Sequence, residues 1–477
     1  MSLHNQRKVY RRTHNQTSSI LPWWYSLNSY TTLPLPITWS QICTYCSTPL
    51  LNVEKNGWCC NQGRYFQHLH ALKPLPSILT TMCLDEHLKF SWISRRANAL
   101  YAFTAIGTTG AFINFSGLSN VAVTGRIYHR MLDLSSSSHS LHWFLYDENS
   151  RYTVGQQHHI RPSMINTLSQ LFLDINPYVR TLKSAIANIS DTGKPFAIEL
   201  DSPTHGSELA AIIHTANITH LEQRQVVVFN LSNAAPRFIS ILSNQYEPLQ
   251  YPLLFPFGDT GWSPEMATHS QCTYYRIRLL TEPRFRLMGR LTCEYVVDMY
   301  SRVEEERLNY LRIGRQNQLQ HCSTGDDSEA GFQNTLPVSF LGSRAWASEQ
   351  VADALALCRE FGKPSLFLTM TTNPQWPEIN EVLLPNQTAC EIPEVVCRVF
   401  KARLQVLLNL LKTHFGHILY LVRVIEFQKR GLPHCHLLLK VYEPPIDKRQ
   451  ANIYRCLPNS LLKQLIQLYV LNYLILR

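Results

Sequence analysis

Residues 417–442 read HILYLVRVIEFQKRGLPHCHLLLKVY, and this stretch decides the fold of the C-terminal half. Two apolar runs flank Lys429-Arg430-Gly431-Leu432-Pro433, which is the pattern of a β-hairpin. Side chains alternate along a strand, so His434 and His436 share one face and Cys435 takes the other. Glu426 and Gln428 share a face by the same rule. With residues 429–433 as the loop, Gln428 lies opposite His434 and Glu426 opposite His436, within reach of each other. Two imidazoles, a carboxylate and an amide oxygen then converge on one patch. That donor set suits a divalent cation with open positions, Mg²⁺ or Mn²⁺. Everything rests on register, since a one-residue slip would turn one set of side chains away.

Upstream of the hairpin, Glu394 to Phe415 has the periodicity of an amphipathic helix, ended by Gly416. Ser365 to Thr372 reads as a buried strand ending in Asn373-Pro374. Thr371 and Asn373 lie near the same site, where a turn or cap is the expected role for both. Gln350 to Phe361 is a helix stopped by Gly362 and Pro364. Thr292 to Ile313 is a long helix with Val296, Met299, Val303 and Leu311 at helical spacing, and Glu304 to Arg307 as its solvated face. Residues 314–345, rich in Gln, Ser and Asp, read as a loop. The order β-α-β-β after two helices predicts an α+β fold, a ferredoxin-like antiparallel sheet with helices on one face. This unit spans residues 285–445, with a terminal helix over 446–477.

The N-terminal half is less regular. Residues 90–258 read as a mixed α/β domain, with β-like runs at Val121 to Tyr128, His142 to Tyr146 and Gln225 to Leu231, and a helical run at Met164 to Phe172. Tyr251 to Gly258 (YPLLFPFG) is too rich in proline for a helix and is expected to close this domain as an extended linker. Residues 1–40 form a basic, flexible arm, with no apolar run that would make it a secretory signal.

With 45% hydrophobic residues the chain is globular rather than disordered. Lys and Arg number 44 against 34 Asp and Glu, and the resulting net charge of +10 suits a polyanionic partner. No apolar run reaches the ~20 residues of a membrane helix. Thirteen cysteines without regular framing read as free thiols of a reducing compartment. The exception lies in residues 41–80, where Cys43-x2-Cys46 is a zinc half-site. Its second half, Cys59-Cys60, is irregular because adjacent cysteines do not easily clasp one ion. His68 or His70 is therefore an alternative fourth ligand, and Zn²⁺ here would be structural.

An H-x-H centre on such a sheet is the layout of the single-strand nickases that begin rolling-circle replication. The chain resembles the N-terminal part of Helitron transposases, the Helitron helicase-like proteins. The stretches that carry the resemblance are QYPLLFPFG at 250–258, VDMYSRVEEERL at 297–308, FGKPSLFLTMTTNPQWPE at 361–378 and EFQKRGLPHCH at 426–436. Weaker similarity runs through GRIYH at 125–129 and NPY at 176–178 to the Cys cluster. The resemblance implies a Rep-like, His-hydrophobic-His endonuclease domain. His434 and His436 would be metal ligands, with Glu426 the first choice of third ligand and Gln428 the alternative. A tyrosine would attack the scissile phosphate and become joined to its 5′ side. It also implies a nuclear location, single-stranded DNA at transposon ends as partner, and the full-length transposase as a second candidate partner.

The family carries a tyrosine pair at i, i+4 spacing well beyond the His motif, after a Cys-rich insert, and then a helicase. Here the sequence holds no G-x-x-x-x-G-K-[ST], so no nucleotide cofactor is expected. Tyr469 and Tyr473 have the right spacing, but they fall in a segment that resembles the part before the insert. Two tyrosines packed on an apolar helix is the preferred account of them. The expectation is thus a nicking domain cut off before its nucleophile. The alternatives are a non-catalytic DNA-binding remnant of a decayed transposon copy, and a zinc-containing interaction protein without a DNA role.

Overall fold

The computed structural model describes residues 37–442, apart from 68, 70, 109–111, 115–120, 124–126, 132–147, 181–195, 201–209, 215–225, 230–239, 267–268, 323–335 and 429–430. Residues 1–36 of the expected arm, the expected terminal helix, His142 to Tyr146, His68, His70, Tyr469 and Tyr473 therefore lie outside the described residues. The rest of the expected arm, 37–40, is not a flexible tail: Ile37 is buried in a hydrophobic cluster and the Trp39 indole donates to the Glu378 carbonyl at 2.7 Å.

Among the described residues the first elements are a two-stranded ribbon, β1 (Gln41–Ile42) and β2 (Pro49–Leu50), and then helices α1 (Ser77–Leu84) and α2 (Phe90–Ala99). Strands β3 (Thr104–Thr108), β4 (Phe112–Asn114), β5 (Val121–Val123) and β6 (Ile127–Met131) pair as β3–β6 and β4–β5. The single run expected over Val121 to Tyr128 is thus divided between two strands of different ribbons. Helices α3 (Glu148–Gln157) and α4 (Pro162–Ile175) come next, then an antiparallel sheet of β7 (Phe196–Leu200), β8 (Ala210–His214) and β9 (Val226–Phe229) in the order β8-β7-β9. Five helices follow: α5 (Tyr246–Gln250), α6 (Gln271–Thr281), α7 (Arg284–Leu287), α8 (Arg290–Cys322) and α9 (Arg344–Phe361). Helix α8 runs nine residues past the expected end at Ile313, so the start of the predicted loop is helical. Its polar composition misled the reading, because composition alone does not exclude a helix that lacks an apolar stripe.

The expected linker at 251–258 is the largest departure. Tyr251, Leu253, Leu254 and Phe255 have no exposed surface and sit in the main hydrophobic core with α1, α2, α4, α6 and α8. The prolines do exclude a long helix, but the segment folds into successive turns that bury its aromatic and aliphatic side chains. A buried polar network ties it to α8. The Tyr251 hydroxyl donates to Asp298 at 2.7 Å and the Tyr295 hydroxyl to Glu247 at 2.7 Å. Arg302 donates to Glu247 at 3.2 Å, and both side chains are fully buried. Glu247 also accepts from the Trp262 backbone N–H at 2.9 Å, so these charges are paired and hydrogen-bonded as burial demands.

The C-terminal unit is β10 (Leu366–Thr371), a short helix α10 (Pro377–Asn380), the long helix α11 (Pro393–Phe415), β11 (Ile418–Phe427) and β12 (Pro433–Val441). The sheet is antiparallel with order β10-β12-β11, so the last strand lies between the two that α11 connects. Helix α11 has apolar side chains on two sides. Phe400, Leu404 and Leu411 pack on Cys435, Leu437 and Leu439 of the sheet. Val395, Val396 and Val399 pack with Ile37 and Leu51 of the N-terminal segment and Leu432 of the hairpin loop. One sheet face is therefore covered by α11. The expectation of helices on one face alone is not met, because α9 reaches the other: Phe361 lies 6.2 Å from the Tyr420 ring, and the Tyr420 hydroxyl donates to the Gly362 carbonyl at 2.8 Å. No described helix is long and apolar enough to cross a membrane.

Candidate metal centre

The hairpin forms, but its loop is residues 428–432 rather than 429–433. Pro433 already pairs with Phe427, as proline can at the first residue of a strand. Its carbonyl accepts from the Thr372 hydroxyl at 2.6 Å, which holds it in the sheet. The Gly431 N–H closes the turn on the Gln428 carbonyl at 2.7 Å, with Gly431 at φ +77°, a conformation that glycine adopts without a Cβ clash. The register therefore moves by two residues. Glu426 lies opposite His434, Val424 opposite His436, and Gln428 falls beyond the strand end, where its backbone N–H donates to Leu432. A shift of two preserves side-chain parity, so Glu426 still shares the histidine face.

On that face Glu426, His434 and His436 bring one donor atom each to within 4.8 Å of one another. The Glu426 carboxylate reaches diagonally to His436 Nε2 at 3.3 Å. The two imidazoles meet edge to face, 4.6 Å between centroids. His436 is about a quarter exposed and His434 is buried. Burial and the adjacent His436 lower the His434 pKa, against the opposing pull of Glu426, and favour the neutral ring that can act as a ligand. Cys435 points the other way, into the α11 core, and burial pushes its thiol up to about 11. It is a core side chain rather than a fourth donor.

Strand β10 completes this face. Thr371 pairs with His434, and its hydroxyl lies 2.8 Å from His434 Nδ1. Phe367 stacks on His436 with 5.5 Å between centroids and 11° between ring planes. The turn expected at Asn373 is present, with its side chain accepting the Gln375 N–H at 2.9 Å. Thr371 instead belongs to the centre. Strand parity carried the signal for both residues: in FLTMT, Phe367, Thr369 and Thr371 must share a face.

A second cluster joins Cys43, Cys46, Cys59 and Cys60, whose sulfurs all lie within 4.8 Å of one another. Cys43 and Cys60 are 3.8 Å apart and Cys46 and Cys59 3.3 Å. Tetrahedral Zn–S bonds near 2.3 Å require sulfur pairs about 3.8 Å apart, so this sulfur set fits that ion. The adjacent pair is accommodated because the chain turns sharply after it, with Asn61, Gln62 and Gly63 all at positive φ. The Gly63 N–H then points at Cys60 Sγ, 3.3 Å away. Burial opposes ionisation of Cys43, but hydrogen bonds from the Tyr45 backbone and the neighbouring thiols bring it down to about 6.

Residues 269–439 match the model of the Helitron helicase-like domain at N-terminus. That span is similar to the Helitron domain. The matched span takes in α6 to α11 and the whole Glu426–His434–His436 face, and it leaves the Cys cluster outside. No curated protein matches the chain.

Proposed function

We propose that the C-terminal unit is the metal-dependent nicking-and-joining domain of a Helitron-type rolling-circle transposase, acting on single-stranded DNA at transposon ends in the nucleus. The observation that carries this reading is the convergence of two imidazoles and one carboxylate on an open sheet face inside the Helitron-like span. The split β10-α11-β11 arrangement with β12 between supports a Rep-like, ferredoxin-related sheet. His434, His436 and Glu426 would hold Mg²⁺ or Mn²⁺. When bound, such an ion supplies Lewis-acid polarisation of a phosphoryl oxygen. The chain's own part is to keep His434 neutral, to set the Glu426 carboxylate against His436, and to leave the histidine side of β10 accessible, where Phe367, Thr369 and Thr371 are exposed. The net charge of +10 supports a polyanionic partner. The nucleophile is left unassigned. The Cys cluster would hold a structural Zn²⁺.

Incubation of the purified chain with labelled single-stranded DNA and Mn²⁺, followed by a denaturing gel and mass spectrometry, tests this reading. Mn²⁺-dependent retention with cleavage or a protein–DNA adduct supports it, and an adduct would bring Tyr469 and Tyr473 forward as nucleophiles. Retention that is indifferent to Mn²⁺ and to His434→Ala favours the non-catalytic DNA-binding remnant. Loss of all DNA affinity at low salt overturns both.

A further inference from the structure

We propose that β10 aims the centre, with Thr371 and Phe367 as positioning residues that direct Nε2 of His434 and of His436 toward Glu426. The inference rests on the metal-site reading above and extends it to residues that touch no ion. His434 has two ring nitrogens, and Thr371 Oγ1 occupies Nδ1 at 2.8 Å. Only Nε2 then remains free to face the cluster. A hydroxyl rotates and can either donate or accept. When it donates to Nδ1, Nε2 carries the proton and cannot ligate. When it accepts from Nδ1–H, the Nε2 lone pair is exposed. Ion binding selects the second state without breaking the Thr371 contact, which is what an outer partner of a metal-bound histidine must allow.

His436 is held differently. No protein group bonds its buried Nδ1 among the described residues. Its ring is instead confined by the parallel face of Phe367 and its Nε2 by Glu426 at 3.3 Å. Both constraints come from one strand and one face: Thr371 sits directly across from His434, and Phe367 diagonally from His436. Regular pairing of β10 with β12 from Leu366–Leu439 to Thr371–His434 makes that spacing rigid. A hydrogen-bonding outer partner such as Thr371 changes metal affinity by about 10- to 100-fold when removed, and a ring that only stacks, as Phe367 does, is expected to matter less.

The test is Mn²⁺ titration of the full chain and its Thr371→Val, Thr371→Ser and Phe367→Leu variants, with ¹⁵N-histidine spectra of the Mg²⁺-loaded wild type. Thr371→Val is expected to weaken Mn²⁺ about tenfold, Thr371→Ser to restore wild-type affinity, and Phe367→Leu to weaken it about threefold. The spectra should show His434 protonated at Nδ1 and ligated through Nε2. Wild-type affinity in Thr371→Val, or His434 ligated through Nδ1, overturns the proposal. The spectra decide the matter even if Thr371→Val fails to fold. Unchanged affinity in His434→Ala/His436→Ala would instead overturn the metal site itself, so the two failures are distinguishable.

Discussion

The two candidate ligand clusters of this molecule differ in almost every physical respect. The Cys43–Cys46–Cys59–Cys60 set is local in sequence, all sulfur and mostly buried, and its four donors can close a tetrahedron. The Glu426–His434–His436 set is built across strands from nitrogen and oxygen, is partly exposed, and offers three donors. Closed sulfur sites hold structure, and sites with an open position do chemistry. The surroundings agree. The Cys segment packs between α6 and α11: Thr48 donates to the Leu280 carbonyl at 3.4 Å, and Arg398 pairs with Glu54 at 2.7 Å. The histidine face instead has an exposed strand beside it.

The largest expected effect breaks the sulfur side. Cys43→Ser/Cys46→Ser should reduce bound zinc from one equivalent to none by elemental analysis. It should also lower stability by several kcal/mol in a urea titration, since metal binding is folding energy in such sites. A fully stable variant would make the cluster a mere packing of thiols. Next, Arg398→Ala strands Glu54 and removes the cation over Trp39, 4.7 Å from its centroid. We expect a loss of about 3 kcal/mol, as for other buried pairs deprived of one partner. Mn²⁺ affinity should remain if α11 is rigid enough to isolate the two clusters, and a parallel loss would show that they are coupled.

Smaller changes sharpen the nitrogen–oxygen side. Glu426→Ala should weaken Mn²⁺ by about tenfold or more while Gln428→Ala changes it less than twofold, by the second-sphere and ligand scale of such sites. The reverse ranking would mean that the loop closes as its sequence first suggests. Acid should act gently at first. The His434 pKa is lowered by burial, so the unfolded chain takes up the proton before the folded one. Its contribution to stability is constant above the ordinary imidazole value of about 6.5. Below that a penalty grows, and it is complete only under the lowered folded pKa. As far as His434 decides it, Mn²⁺ binding should persist below the ordinary imidazole value of about 6.5, because ligation needs the neutral ring and burial keeps this ring neutral at lower pH.

Much of the histidine face was legible because strand parity is insensitive to an even shift. The expected pairing was two residues out, yet Glu426 and both histidines still met on one side. What parity cannot supply is the loop boundary, which here turns on Pro433 joining the strand under Thr372. Thr371 was read by residue type, as a capping side chain, rather than by its place in the FLTMT alternation. The YPLLFPFG segment shows a different limit. Proline excludes helix, but it says nothing about burial, and this turn-rich stretch is core. The register of Cys59 and Cys60 likewise depended on left-handed backbone at Asn61 and Gln62, which no spacing rule reveals.

The most direct test of the account is a Mn²⁺ titration of the wild-type chain beside His434→Ala/His436→Ala, with thermal unfolding of both. The account predicts one saturable site in the wild type, its loss in the double variant, and a closely similar unfolding temperature, because neither ring belongs to the α11 core. Equal Mn²⁺ affinity in the two proteins would contradict it.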